Sequence, residues 1–154
     1  MISKAQEAEL NNPTLVQSGF GRDESSPSTA TSAAVRACRN ALAGQNSWYS
    51  PIGKVDHYLR CYPQQLDDES QRVVVHVRLG VPDGYEVDAA AIQEAFPYGR
   101  LLPLEVVTGG LSYSRARGRV RTDQEPRDRD DTAIVVVAAV SIQVREAAAL
   151  DRIP

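Results

Sequence analysis

Two segments of this sequence place glycines beside arginines directly after a predicted strand. The first is SGFGRDESSPS, residues 18–28, which runs into a predicted helix. The N-terminus of a helix attracts anions because its first N–H groups have no partner within the helix. Arg22 is therefore a candidate for binding a substrate anion, and Asp23 and Glu24 are candidate catalytic groups for proton transfer. An ordinary turn before a capped helix explains the same residues equally well.

The second segment is VTGGLSYSRARGRVRT, residues 107–122, in which four arginines follow two glycines without an intervening acid. Glycine lets the backbone approach a ligand closely, and arginine binds carboxylate or phosphate through two parallel hydrogen bonds. The candidate substrate-binding residues here are Gly109, Gly110 and Arg115. Thr108 and Ser112 supply candidate catalytic hydroxyl groups beside them. The alternative is a polar loop whose charges are partly cancelled by the acids that follow it.

Arg78 and Tyr98 are candidate substrate-binding residues outside these two segments. Arg78 shares a strand face with His76. Tyr98 lies in PYGR (97–100), between a predicted helix and a strand, where its hydroxyl would face a neighbouring subunit's site. The alternative for the strand face is that His76 is a hydrogen-bonded structural residue. The alternative for PYGR is an ordinary turn with an exposed arginine. Neither His76 nor His57 has partners at the spacing of a zinc site, and no phosphate-binding or nucleophile-elbow motif is present. We therefore expect no metal and no other cofactor.

The overall composition is that of a globular protein without a strong surface field. Of 154 residues, 42% are apolar, and the formal net charge is −3. A chain of this charge with few aromatic residues is not expected to bind nucleic acid. No apolar window is long enough to span a membrane, and the N-terminal MISKAQEAELNNP lacks the apolar core of a signal peptide. The lone cysteines Cys38 and Cys61 fit a reducing compartment, so we expect a cytoplasmic protein.

The hydrophobic periodicity predicts one domain over residues 14–144. The predicted strands are 14–20, 72–82, 101–108 and 132–144. The predicted helices are 29–44 and a short one over 88–96, which Asp88 caps. Residues 45–71 are interpreted as an insertion, in which VDHYLRCY favours an edge strand or a helical turn, and residues 109–131 as a long loop without structure. Residues 1–13 and 145–154 are an N-terminal arm and a C-terminal tail.

This order of elements predicts an α+β fold in which two helices cover one face of a four-stranded mixed sheet. The segment 132–144 is apolar on both faces, which indicates a buried central strand. The other face of the sheet carries Val74, His76 and Arg78, a mixture of apolar and charged groups. Such a face is commonly buried by another subunit, so we expect a homo-oligomer.

Several segments together resemble a small conserved hypothetical family founded on a Listeria protein. The matching segments are SGFGRD with the following AAVRACRNAL, then VVVHVRLGVP, AFPYGRLLPLEVVTGGLS and DDTAIVVVAAVSIQV, in this order over most of residues 15–144. The family has no settled activity, so the resemblance implies relatives rather than a function. Relatives usually lack the insertion at 45–71 and have a shorter loop after Gly110, so this chain departs from them where its arginines lie.

A fainter similarity connects the chain with one repeat of the ring-opening amidohydrolases, the cyanuric acid hydrolase and barbiturase group. Residues 21–24 stand where that repeat has glycine–lysine–x–glutamate, and residues 108–110 where it has serine–glycine–glycine. In that group the lysine activates the serine nucleophile. Arg22 stays protonated and cannot act as that base, and Thr108 is a poorer nucleophile. The similarity, like the chorismate mutase-like and YjgF-like folds, implies a trimer with clefts between subunits.

Together these features favour an enzyme that acts on a small polar substrate, either anionic or a cyclic amide. The two glycine-bearing segments would meet in a cleft between subunits, where the arginines bind the substrate and the amides of Gly109 and Gly110 stabilise developing charge. The reaction type stays open among lyase, isomerase and amidohydrolase-like chemistry. The alternatives are a non-catalytic ligand-binding protein and a structural subunit of a larger assembly.

Overall fold

A computed structural model describes residues 15–43, 51–61, 73–115, 119–120 and 131–144 of the chain. The helices are α1 (Thr31–Ala43), α2 (Pro51–Cys61) and α3 (Ala89–Glu94). The strands are β1 (Leu15–Asp23), β2 (Val73–Val81), β3 (Arg100–Leu101), β4 (Glu105–Thr108), β5 (Leu111–Ser114), β6 (Arg119–Val120) and β7 (Thr132–Val144). In the part of the chain so described, no helix has the length and apolar character needed to cross a membrane.

All seven strands belong to one mixed sheet with β7 at its centre. On one side β7 pairs antiparallel with β1, and on the other side with β2 and then, beyond the end of β2, with β5. β3 and β4 lie parallel to β2 along its outer edge, and β6 pairs with β5. The predicted α+β class with a mixed sheet is therefore confirmed.

The strand count of four is wrong in two places. The segment predicted as a single strand over 101–108 forms β3 and β4, which are separated around Pro103, a residue without the N–H needed for the ladder. Residues 109–131, interpreted as a loop, contain β5 and β6. β5 pairs with a strand that follows it by about twenty residues, a contact that its own four residues do not signal.

The two faces of the sheet differ in how they are covered. Alternate residues of β2 and β7, such as Val77 and Ile134, are fully buried under the helices. The intervening residues lie on the opposite face, where Val137 is 45% exposed. We call this opposite side the open face. The apolar character of β7 on both sides correctly predicts its central position, but its second side is less covered than the first: Val135 is half-buried and Val137 is exposed.

Helix α1 lies directly on the backbone of β1. Its buried stripe consists of small residues: Ala33, Ala34, Ala37, Cys38 and Ala41. A Cβ atom at Gly19 would lie 2.7 Å from the Ala41 Cα, and one at Gly21 would overlap the Ala33 carbonyl. The two glycines of SGFGRD are therefore required for close packing of the helix on the strand.

The remaining helices pack beside α1. α2 begins at Pro51, whose missing N–H costs nothing in a first helical turn, and it buries Val55 and Leu59 one turn apart. The helical alternative for VDHYLRCY is thus the one observed. At α3 the Asp88 side chain accepts a 3.0 Å hydrogen bond from the Ala90 N–H, as the sequence predicts for an N-cap.

Candidate functional site

Gly109 and Gly110, which directly follow β4, let the chain cross from the outer edge of β2 to the edge of β7. β4 runs along the outer edge of β2, and three residues after it Leu111 already pairs with Val135 of β7. Between these positions Gly109 passes over Gly80, and a Cβ atom at Gly109 would lie 3.1 Å from the Gly80 Cα. Gly110 has φ +67°, and a Cβ atom there would overlap the Val135 carbonyl oxygen. The crossing therefore requires glycine at position 110 and leaves little room for a side chain at position 109.

The crossing also uses one of the amides that the sequence assigns to charge stabilisation. The Gly109 N–H donates a 2.9 Å hydrogen bond to the Val81 carbonyl oxygen. An N–H already held by a backbone carbonyl cannot point at a substrate oxygen unless that bond breaks. The expected role of Gly109 in stabilising a developing charge does not fit this geometry.

The two segments singled out in the sequence meet at one end of the sheet. Arg22 of β1 and Leu111 of β5 pair with the same residue, Val135, from its two sides. With one strand between them, their backbones are about 10 Å apart. Partners across a ladder share a face, so the side chains of all three residues lie on the open face.

A hollow of about 690 Å³ lies at this place. Its lining residues are Phe20, Arg22, Glu24, Arg36, Asn40, Leu111, Tyr113 and Val135. The apolar members come from β5, β7 and the face of β1. The polar members come from the end of β1 and from α1, which reaches round the β1 edge. The hollow therefore has an apolar wall and a polar rim.

The polar rim is ordered by contacts at the outer edge of β1. Arg36 Nη1 donates to the Arg22 carbonyl oxygen at 2.6 Å, and Asn40 Nδ2 donates to the Phe20 carbonyl oxygen at 2.7 Å. Arg22 Nε lies 3.4 Å from Glu24 Oε1, and both side chains are more than half exposed. Two guanidinium groups and one carboxylate thus surround the mouth of the hollow.

Arg36 and Asn40 are the charged or hydrogen-bonding groups of the polar rim that the sequence does not single out. The helical pattern places both on the solvent side of α1 and predicts no role for them. The usable signal is their spacing of four residues, which puts both on one helix face next to a strand edge whose carbonyls need donors.

Asp23 does not face the hollow. It is 5% exposed, and its Oδ1 accepts hydrogen bonds from the Ser25 N–H at 2.9 Å and the Ser25 hydroxyl at 2.5 Å. Its ladder partner Ile134 is fully buried under the helices, so Asp23 lies on the helix-covered face. Asp23 orders the loop after β1, and the structure does not bring it to the arginines.

The two candidate hydroxyl nucleophiles also lie on the helix-covered face. Thr108 pairs with buried Val81, and its hydroxyl donates to Asp83 Oδ1 at 3.2 Å. Ser112 pairs with Ile134. Neither residue lines the hollow, so the structure separates both from Arg22 and Glu24.

Arg115 joins the two segments beyond the hollow. Its Nη2 donates to the Ser26 hydroxyl at 3.2 Å, and its N–H donates to the Asp131 carbonyl oxygen at 2.7 Å. It therefore ties the loop after β1 to the end of β5. Arg117, Arg121 and the side chain of Arg119 lie outside the described residues.

Arg78 belongs to a second charged group on the open face. Arg78 Nε lies 3.5 Å from Glu105 Oε1, and His76 Nε2 lies 3.4 Å from Glu105 Oε2. Burial lowers the pKa of His76, with Glu105 acting in the opposite direction and Arg78 in the same one. Arg78 pairs with Ala139, which is four residues along β7 from Val135, the partner of Arg22. Measured along β7, the two pairs are about 13 Å apart.

Tyr98, a candidate substrate-binding residue, is buried away from the hollow and does not line it. Its side chain is 4% exposed, and its hydroxyl donates to the Asp56 carboxylate. The ring meets Phe96 edge to face at 6.2 Å and lies 5.8 Å from the Arg60 guanidinium carbon. Burial and the Asp56 charge raise the pKa of Tyr98. These contacts connect α2 with the chain after α3.

These features define an α+β protein with one helix-covered sheet face, one open face and an arginine-rimmed hollow. Among the residues described, no three metal-binding side chains cluster. The chain belongs to the family described as Conserved hypothetical protein (Lin0512_fam), whose model matches residues 13–142. This confirms the resemblance seen in the sequence.

The fold recurs in a solved structure of low sequence identity. An FtsZ-like protein of unknown function from Nostoc punctiforme PCC 73102 is 23% identical to this chain, with a TM-score of 0.56. The match covers 85% of this chain and 93% of that one. At this identity the likeness shows the fold alone. No curated protein matches the sequence.

Proposed function

We propose that this protein is a small-molecule enzyme whose substrate, polar and either anionic or a cyclic amide, binds in the hollow. The observation that carries the proposal is the pairing of Arg22 and Leu111 with Val135, which joins two distant segments around one arginine-rimmed hollow. Arginine forks suit carboxylate and carbonyl oxygens. The proposed chemistry uses no cofactor.

Glu24 is the proposed proton-transfer group. It is the carboxylate that lines the hollow, 3.4 Å from Arg22 Nε, whereas Asp23 is turned to the other face. Arg22 positions the substrate through its N–H donors and is not assigned the role of the base. A lyase or isomerase reaction that needs an acid–base group but no nucleophile fits this set better than amide hydrolysis.

A homo-oligomer completes the proposed site. The large apolar side chains exposed on the open face are Val16, Phe20, Val107, Leu111 and Val137. Phe20, Val107 and Val137 share one row across the sheet, Leu111 lies in the next row, and Val16 lies apart from them. An exposed apolar group of this kind marks an interface, and a second subunit placed over it would roof the hollow. We propose a trimer of the chorismate mutase-like or YjgF-like type, an assembly inferred by fold analogy.

The assembly is tested with Val137→Asp, which places a charge at the centre of the open face. Sedimentation velocity should give an oligomer for the wild-type chain and a monomer for the variant, with far-UV circular dichroism unchanged. A wild-type monomer at high micromolar concentration would contradict the proposed interface.

A non-catalytic ligand-binding or assembly subunit is the second candidate. It is favoured by the ion pairs on the open face, since Glu24 and Glu105 each lie beside an arginine rather than in an apolar pocket that would favour proton transfer. It is also favoured by the position of Asp23, Thr108 and Ser112 on the opposite face.

A thermal-shift screen of carboxylates, cyclic ureides and phosphates tests the binding site. A ligand that binds the folded chain raises its melting temperature by mass action. Arg22→Ala should abolish that shift, and Arg39→Ala, an exposed arginine of α1 outside the hollow, should retain it. Equal shifts in both variants would remove the support for the site. Turnover of the hit by wild type but not by Glu24→Gln then separates the enzyme from the binding protein.

A further inference from the structure

The polar and apolar linings of the hollow are segregated, and this limits the ligands that fit it. Leu111, Tyr113 and Val135 form one wall on β5 and β7, and Phe20 extends it onto β1. Every charged lining group comes from the β1 side: Arg22 lies on β1 next to Val135, Glu24 follows at the end of β1, and Arg36 reaches the β1 edge from α1. A ligand that satisfies both parts has one charged end and an apolar body.

The charges at the rim favour a single negative charge. Arg22, Arg36 and Glu24 together carry one net positive charge. Each guanidinium has five N–H donors. One nitrogen of Arg36 is used by the Arg22 carbonyl, and Nε of Arg22 faces Glu24, so other N–H groups of both forks are left for a ligand. A doubly charged phosphate would exceed the rim charge and would lose hydration against the apolar wall.

The size of the hollow excludes an inorganic anion as its complete occupant. A volume of about 690 Å³ falls within the range of pockets for organic ligands. The Phe20 and Tyr113 rings can pack against a planar or branched apolar body, and an exposed aromatic ring such as Phe20, at 66%, gains most from such contact.

We infer that the hollow binds a monocarboxylate with an apolar body, and that Arg36 is a specificity-determining residue for its carboxylate. The inference rests on the proposed function and narrows its substrate class from any polar anion or cyclic amide to this one. Arg36 suits the role because the Arg22 carbonyl fixes one of its nitrogens at 2.6 Å, which holds the fork beside Arg22.

The test uses isothermal titration calorimetry of the full chain with matched probes. The probes are 3-phenylpropionate, its neutral amide, acetate, inorganic phosphate and barbiturate. We expect 3-phenylpropionate to bind at least about tenfold more tightly than the other four, since each of them lacks the charge, the apolar body or the single carboxylate.

Variants separate the two ends of the ligand. Arg36→Gln should weaken 3-phenylpropionate at least about tenfold, and Arg36→Lys should restore binding only in part, because lysine lacks the fork. Leu111→Ser should weaken 3-phenylpropionate but leave acetate unchanged. Arg39→Gln is the matched control on the same helix. Melting temperatures without ligand show whether loss of the Arg36–Arg22 bond alone has altered the fold.

The outcomes distinguish this inference from the proposed function. If acetate or phosphate binds as tightly as 3-phenylpropionate and depends on Arg22, the anion site stands and the inference is overturned. Preferential binding of barbiturate also overturns the inference, but it supports the proposed function with a cyclic amide as the substrate. If no probe binds, or if binding is indifferent to Arg22 and Arg36 alike, both fail.

Discussion

Replacement of Gly110 by alanine should destabilise the protein far more than alanine usually does at a surface turn. The residue has φ +67°, a conformation that costs an L-residue about 1–2 kcal/mol. Its new Cβ atom would also overlap the Val135 carbonyl oxygen, which belongs to the central strand and cannot move alone. Relief of such overpacking costs about 1–3 kcal/mol more. We expect a total loss of about 2–5 kcal/mol, a large part of a typical folding free energy.

Gly84→Ala is the matched control. Gly84 has φ +85° in an exposed turn, so alanine there should cost about 1–2 kcal/mol from backbone conformation alone. Urea unfolding followed by far-UV circular dichroism gives the free energy of both variants, with unchanged slopes as a check that the transition stays two-state. The difference between the two variants isolates the contact with Val135.

Two results would refute this reasoning. If Gly110→Ala loses no more stability than Gly84→Ala, the chain does not cross so close to β7. If instead Gly110→Ala keeps the wild-type stability but loses ligand binding, the glycine serves the ligand, and the crossing does not explain its presence.

Two further predictions concern residues away from the hollow. Tyr98→Phe should lower the free energy of unfolding by about 1–3 kcal/mol, because the Asp56 carboxylate loses a buried donor; affinity for 3-phenylpropionate should not change, and a loss of affinity would return Tyr98 to the site. Burial lowers the pKa of His76 from its ordinary 6.5, so the unfolded chain takes up this proton first as the pH falls. Its contribution to stability is therefore complete above pH 6.5 and is lost as the pH falls through the lowered pKa. His76→Gln should flatten the stability profile in that window, and an unchanged profile in urea titrations across it would contradict the assigned cause.

The parts of the fold that the sequence predicts are those with local periodicity. β1, β2 and β7 alternate or run continuously apolar, and the alanine pattern of α1 repeats over three turns. β5 has four residues, and its strand character depends on pairing with β7, which the local pattern does not encode. α2 carries a weaker local signal, Pro51 at its start with Val55 and Leu59 inside, that favours a helix over the edge strand.

The candidate site depends on which face of the sheet each residue occupies, and the sequence pattern predicts this less well than it predicts the strands. Side chains alternate between faces along a strand, so neighbours in sequence lie on opposite sides. Asp23 is adjacent to Arg22, and Ser112 is adjacent to Leu111, yet only the second member of each pair lines the hollow. A glycine–arginine pattern locates the end of the strand but does not specify the face.

The glycines and the open face together constrain how ligand and subunit contacts relate. Packing explains Gly19, Gly21, Gly109 and Gly110, so the proposed site consists of side chains on the open face and the β1 edge. Phe20 lines the hollow and also pairs with Val137, the proposed centre of the subunit interface. A partner that covers Val137 must therefore contact the same ring that the ligand contacts.

Ligand binding and subunit assembly are then linked. If assembly multiplies the ligand's affinity by some factor, ligand binding multiplies the association constant of the subunits by the same factor. A partner that fills the hollow gives a factor below one, and a partner that roofs it gives a factor above one. The sign of that coupling decides whether the open face is an active site shared between subunits or a surface used only for assembly.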